Sequence, residues 1–167
     1  PYIIANILTA VLPEQAGIWS YPKSELMDKV DDECIVMNMV NSFIGRVHLA
    51  SKLYLLPQNQ QDLIKEALDL YKKASLLHKN ALPYFPIGLA QYNDNYLAFG
   101  YKNNKKGYLC VYNMHDNKEI TFILNNIKTL KLVYPTTLKT DFKFINNKFT
   151  WKVDSSLQAR IFYFEEE

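Results

Sequence analysis

Ile3-Ile4-Ala5-Asn6-Ile7-Leu8-Thr9-Ala10-Val11-Leu12-Pro13-Glu14-Gln15-Ala16-Gly17-Ile18-Trp19-Ser20-Tyr21-Pro22 is the stretch on which the reading of the fold turns. Its apolar run stops at a proline and a carboxylate. A mostly apolar strand without polar alternation has to be covered on both faces, and the usual setting for that is a parallel sheet in an α/β protein. The run therefore predicts the last strand of a (β/α)8 barrel. On that reading residues 13–21 follow the C-terminal end of the strand, the face on which such barrels place their active sites. No preceding strands accompany it, and the start at Pro1 fits an excised piece better than a natural N-terminus.

Working outward, Tyr21-Pro22-Lys23-Ser24 reads as a turn, since Pro22 pushes the residue before it out of the helical region and Ser24 can cap the next element. A short helix over residues 25–30 is expected there. Asp31, Asp32 and Glu33 then supply the negative charge that a helix N-terminus favours. Ile35, Met39, Phe43 and Val47 continue at four-residue spacing, predicting a helix over residues 32–55. Val36, Val40, Ile44 and Leu49 widen its apolar stripe, so it is covered from more than one side. Gly45 inside that helix implies close approach of another backbone, and His48 reads as a hydrogen-bonded structural histidine. Pro57 fits the first turn of a second helix ending near His78, with one stripe of Leu63, Ile64, Ala67, Leu68 and Tyr71 facing the protein.

From Asn80 the pattern changes. Residues 81–89, Ala-Leu-Pro-Tyr-Phe-Pro-Ile-Gly-Leu, hold two prolines and suit neither a helix nor a central strand, so they read as a linker packed across a domain junction. Beyond them, β-prone runs at 96–101, 108–112, 119–124, 131–134, 141–145, 148–153 and 159–164 alternate with Asn, Asp, Lys and Gly clusters, a spacing typical of an antiparallel sandwich. Asn103-Asn104-Lys105-Lys106-Gly107 and Asn146-Asn147 are the hairpin connections, because Asn tolerates the positive φ of tight turns. The expected fold is thus mixed: residues 1–80 as the end of a (β/α)8 barrel, one strand plus two helices, and residues 81–167 as an all-β antiparallel sandwich.

The 167 residues carry a formal charge of +2 with both signs interspersed, which provides no basic stripe and argues against nucleic acid and membrane surfaces as partners. No apolar run reaches the roughly 18 residues needed to span a bilayer. Cys34 and Cys110 lie in apolar segments and form no Cys-x-x-Cys, so two buried thiols in a reducing, cytoplasmic setting are expected, without a metal site or cofactor. Chemistry is sparse. Glu14 is the only carboxylate at the end of the opening run, whereas glycoside hydrolysis normally needs two. No Ser-His-Asp spacing, glycine-rich phosphate loop or paired His ligands are present. Trp19 and Tyr21 could form an aromatic platform for a sugar or fill the junction between barrel and helix. Trp151, Tyr92 and Tyr101 read as core and cross-strand pairs.

Leu12-Pro13-Glu14-Gln15-Ala16-Gly17-Ile18-Trp19-Ser20-Tyr21-Pro22, followed by Asn41-Ser42-Phe43-Ile44-Gly45-Arg46-Val47-His48, resembles the C-terminal part of melibiase-like α-galactosidases, glycoside hydrolase family 36 and its relatives. Leu82-Pro83-Tyr84-Phe85-Pro86-Ile87-Gly88-Leu89, Tyr108-Leu109-Cys110-Val111, Val133-Tyr134-Pro135 and Ala159-Arg160-Ile161 agree with later parts of that family in order and spacing. The resemblance implies a retaining glycosidase acting on α-galactosides, with a catalytic barrel and a small C-terminal sandwich. Its two catalytic aspartates sit on earlier barrel strands, so no catalytic residue is expected in this chain. Glu14, Gln15, Trp19 and Tyr21 match positions near the rim of the sugar pocket, in contact or supporting roles. The partners implied are an α-galactoside and the N-terminal part of the barrel, and an unpaired strand would also allow a homo-oligomer. The competing reading is a stand-alone carbohydrate-binding β-module, which requires Trp151, Tyr92 and Tyr101 to be exposed in a row.

Overall fold

The computed structural model describes residues 1–23 and 30–167. The Ser24 cap and all but Val30 of the short helix expected over 25–30 fall outside the described residues.

The opening run is a helix. Tyr2–Ile7 forms α1, in which Ala5 is buried while Ile3 faces solvent. Tyr2, Ile4, Ala5, Ile7 and Leu8 reach the core at helical spacing, so the continuous apolar run is a packed helix turn and not a doubly covered strand. The Tyr2 hydroxyl donates to the Asp94 carbonyl and the Asn6 amide to the Ala90 carbonyl, each at 2.9 Å. Together they fasten α1 against the segment that leads into the β-region.

The strand is further along, at β1, Gly17–Ser20. Asp32–Phe43 forms α2, whose N-cap Asp31 accepts from the Cys34 amide at 2.7 Å. The expected helix over 32–55 stops here. Arg46–Leu49 leaves the helix as β2 and pairs parallel to β1, with Ile18 opposite Val47 and Trp19 opposite His48. Gly45 does mark a close backbone approach, but the neighbour is the residue before β1. A Cβ on Gly45 would overlap the Ala16 carbonyl oxygen, which instead accepts from the Arg46 amide at 2.7 Å. The four-residue apolar spacing through Val47 concealed a switch to period two: Val47 and Leu49 turn inward, Arg46 and His48 outward. A 3₁₀ turn at Leu53–Leu55 leads to α3, Gln58–Ala74, preceded by Pro57 and followed by a second 3₁₀ turn at Ser75–Leu77.

The β-region follows the expected runs closely. β3 (Leu82–Tyr84), β4 (Tyr96–Asn103), β5 (Lys106–Asn113), β7 (Ile127–Tyr134) and β10 (Gln158–Glu166) form a five-stranded antiparallel sheet in the order β3-β4-β5-β10-β7. β6 (Glu119–Ile123), β8 (Asp141–Ile145) and β9 (Lys148–Lys152) form a second sheet in the order β6-β9-β8. The proline-punctuated segment supplies β3, an edge strand, which is where a sheet tolerates Pro83. Asn104 takes φ +53° between β4 and β5, and Asn146 and Asn147 take +51° and +62° between β8 and β9, as tight hairpins require.

Two apolar cores share the five-stranded sheet. On one face Ala98, Leu109, Val111, Phe162 and Phe164 meet Ile120, Phe122, Phe149 and Trp151 of the smaller sheet. On the other, Phe99, Tyr101, Cys110, Tyr112 and Ile161 meet Ile35, Val36, Phe43, Leu63 and Ile64 of α2 and α3. Alternate residues of β5 therefore serve different cores, and its near-continuous burial follows from being covered on both sides. A buried ion pair ties α2 to β10. Arg160 donates through Nη1 and Nη2 to the two Glu33 carboxylate oxygens, each at 2.7 Å, and through Nε to Thr140 Oγ1 at 2.8 Å. Gln158 adds a bond to the same carboxylate at 2.9 Å.

Candidate functional site

The two parallel strands are covered on one side only. Ile18 and Ser20 are buried toward α2, where the Ser20 hydroxyl donates to the Asn38 carbonyl at 3.2 Å. Gly17 and Trp19 of β1 alternate to the other face, beside Arg46 and His48 of β2, and Tyr21 follows at the C-terminal end. Trp19 is 60% exposed, an unusual state for the middle of a parallel strand. Its ring stacks on His48 at 5.3 Å and 22°, and on Tyr21 at 6.2 Å and 15°. His48, Trp19 and Tyr21 thus make one near-parallel aromatic stack running toward the C-terminal end of the strands. Among the described residues, β1 and β2 form a sheet of two strands, so each also has one unpaired backbone edge.

The residues expected to share a site separate. Trp19 and Tyr21 come together on this face, but Glu14 and Gln15 do not join them. Both are exposed in a turn in which the Gln15 amide bonds the Leu12 carbonyl at 2.9 Å, ahead of Gly17. They sit at the N-terminal end of β1, because the apolar run they terminate is a helix and the strand comes after them. The four strand residues alone put about 13 Å between that end and Tyr21. His48, expected on a helix away from the site, is instead part of the stack. Its signal in the sequence is the alternation Arg46-Val47-His48-Leu49.

This arrangement can hold a flat apolar surface or the C–H face of a sugar, but its described side chains include no carboxylate, so it lacks the acid and nucleophile that glycoside hydrolysis uses. At the same end of α2, a cavity of about 400 Å³ opens between Cys34, Asn38 and Asn41 and the β9–β10 connection at Ser155–Leu157. Burial, with the Asp31 carboxylate adding to it, raises the Cys34 thiol, which keeps it protonated at neutral pH and poorly nucleophilic. Cys110 is buried, and neither cysteine forms a disulfide. Among the described residues no group of three His, Cys, Asp or Glu is placed to hold a metal ion, and no helix is long and apolar enough to cross a membrane. The row of β-region aromatics needed for a binding surface is not there: Trp151 and Tyr101 are buried in different cores, and Tyr92 alone is exposed.

No protein-family model and no curated protein sequence matches the chain. Solved structures do. The α-galactosidase of Lactobacillus brevis superposes over 91% of this chain with a TM-score of 0.63 and 11% identity. The family 36 α-galactosidase AgaA of Geobacillus stearothermophilus, solved with raffinose, does so over 91% with a TM-score of 0.56 and 10% identity. An Anoxybacillus α-amylase matches 90% of the chain with a TM-score of 0.61 and 11% identity. The chain spans 22% of the length of each of those two α-galactosidases and 38% of the α-amylase. Its helices and antiparallel sheets thus have the fold of the C-terminal region of family 36 α-galactosidases.

Proposed function

We propose that this chain is the C-terminal portion of a retaining glycoside hydrolase that, when intact, removes terminal α-galactosides. The observation that supports this most is the two-stranded parallel sheet β1–β2, which among the described residues has both edges open and an aromatic face uncovered. Parallel strands are stable when covered on both faces and paired on both edges. A closed barrel meets both needs at once, and β1–α2–β2–α3 would be its last two strand–helix units. That revises the expected barrel end from one strand plus two helices to two strands and two helices, within residues 1–80. Residues 81–167 are the supporting sandwich.

In this reading Trp19 and His48 fill the barrel interior as one of its packed layers, and Tyr21, past the strand end, rims the sugar site. Glu14 and Gln15 lie at the opposite end and take no part in sugar contact. The two aspartates that the family resemblance assigns to earlier strands would come from sequence preceding Pro1. The likeness to an α-amylase shows that this fold alone does not choose the sugar; the α-galactoside assignment rests on the resemblance in residues 12–22 and 41–48. The two unbridged thiols support a cytoplasmic setting.

Expressing the chain joined to the coding sequence upstream of Pro1, and assaying it with a chromogenic α-galactoside, tests the proposal. Turnover is expected from the longer protein and none from residues 1–167 alone. Hydrolysis by the 167-residue chain, lost on Glu14→Gln, would refute it.

A further inference from the structure

α3 turns strips of its surface to different neighbours. Gln60, Leu63 and Ala67 are buried, and the Gln60 side chain donates to the Val30 carbonyl at 2.7 Å, just ahead of α2. Glu66, on another flank, accepts from the Thr136 amide and hydroxyl, each at 2.7 Å, and so faces the β-region. A third strip has no cover among the described residues. There Leu53, Gln61, Ile64, Lys65, Leu68 and Lys72 line an open groove of about 260 Å³. Its floor is apolar and its rim carries the charges. Next to Leu53, Tyr54 and Leu55 of the 3₁₀ turn stand 75% and 56% exposed.

The position of the groove decides what fits it. β1, α2 and β2 form a parallel strand–helix–strand unit, and such crossovers are right-handed, which carries the chain onward from β2 to the side away from β1. α2 packs against both strands, whereas α3, next in the chain, lies on toward the unpaired edge of β2. A further parallel strand on that edge brings a helix of its own, and the same handedness sets that helix along the free flank of α3. From Gln61 to Lys72 the strip runs about 16 Å, or about three turns, a length over which one helix packs on another. An apolar floor between charged rims is the complement of an amphipathic helix. Lys72 is held by Asp69 at 3.2 Å, but Lys65 makes no ion pair among the described residues, so an acidic residue on the partner would suit that edge. The α-galactosidases that share this fold extend well beyond it in length, so the same polypeptide can supply the helix.

We propose that this groove receives the apolar face of an amphipathic helix from the chain upstream of Pro1, the helix that flanks α3 when the barrel closes. The inference rests on the reading above for the source of that helix. The shape and position of the groove call for a helix whatever sugar the barrel takes.

The test is the rate at which Lys65→Cys is labelled by a water-soluble maleimide, in a Cys34→Ser background, in the 167-residue chain and in the protein joined to the coding sequence upstream of Pro1. Lys73→Cys, at an exposed position of α3, is the reference. The shorter chain should label at both positions at similar rates. In the longer protein labelling at position 65 should slow by about tenfold or more while position 73 is unchanged, because reaction then waits on local opening. Leu68→Glu, which sets a charge over the groove floor, should leave the shorter chain folded by circular dichroism and restore fast labelling in the longer one. Equal rates at position 65 in the two proteins, or protection that survives Leu68→Glu, would overturn the proposal. Protection in the shorter chain that grows with its concentration would also overturn it, giving the groove to a second copy. Turnover of a chromogenic α-galactoside reports separately: turnover without protection refutes the docking and leaves the glycosidase reading, and protection without turnover does the reverse.

Discussion

Removing the carboxylate of the Glu33–Arg160 pair should cost more stability than removing the guanidinium. The Arg160 side chain is 1% exposed and that of Glu33 is 21% exposed. Glu33→Gln deletes the negative charge opposite a guanidinium that has no route to water, and replaces two 2.7 Å bonds to a carboxylate with at most one bond to a neutral amide oxygen. Leaving half of a buried ion pair uncompensated costs about 3 kcal/mol here, the low end of the usual range because the carboxylate is partly wetted. Arg160→Met is the gentler change. The thioether fills much of the same path beside Trp151, whose ring lies 5.3 Å from the guanidinium, and the released carboxylate can turn to water within the first turn of α2. That loss should be about 1 to 2 kcal/mol, the hydrogen bonds to Thr140 and Glu33 less the desolvation they required. The double variant should resemble Arg160→Met alone, because once the guanidinium is gone the carboxylate has nothing to neutralise. Urea unfolding followed by circular dichroism, with unchanged slope, gives the three differences. A larger loss for Arg160→Met than for Glu33→Gln, or additive losses in the double variant, would refute this reasoning.

Burial lowers the His78 pKa from 6.5 to about 4, so the unfolded chain binds a proton that the folded one refuses between those values. Stability should therefore be unaffected by this group above pH 6.5 and should fall as the pH drops toward 4. The loss at pH 5 relative to pH 7 is about 2 kcal/mol, and His78→Gln should remove it from a pair of urea curves at the two pH values. Gly45→Ala should destabilise by about 2 kcal/mol in thermal melts, since the new methyl group overlaps the Ala16 carbonyl between β1 and β2. Acrylamide should quench the emission of Trp19 and spare that of Trp151, leaving Trp19→Phe with blue-shifted, protected fluorescence. The 167-residue chain in isolation should self-associate through the open edges of β1 and β2, and sedimentation velocity at rising concentration should show it.

The β-region is legible in the sequence because its signals are local. Strand alternation such as Phe142, Phe144, Phe149 and Trp151, with the Asn146-Asn147 turn between, specifies pairing within a few residues. In the αβ part the start of α2 at Asp32 and α3 after Pro57 are legible too, but the strands are not, because short apolar runs have the same composition whether they coil or extend. Residues 2–8 present apolar groups at both spacings, and the choice is made by the partners at Ala90 and Asp94, more than 80 residues away. The same ambiguity hides β2 behind an apparent helix and moves Glu14 to the wrong end of the strand. Trp19 and Tyr21 come to lie together because two residues apart means one face of a strand wherever that strand begins.

The five-stranded sheet has a consequence for how such a chain can be inherited. Phe99, Tyr101, Cys110 and Tyr112 look toward the helices, while Ala98, Leu109 and Val111 look toward the second sheet. A gene break near residue 80 would strip one side of that wall and leave its aromatic surface bare. The β-region is therefore poorly suited to being shuffled among proteins as a free-standing module. Any recombination event that moved it without α2 and α3 would have to supply a replacement for the surface they cover.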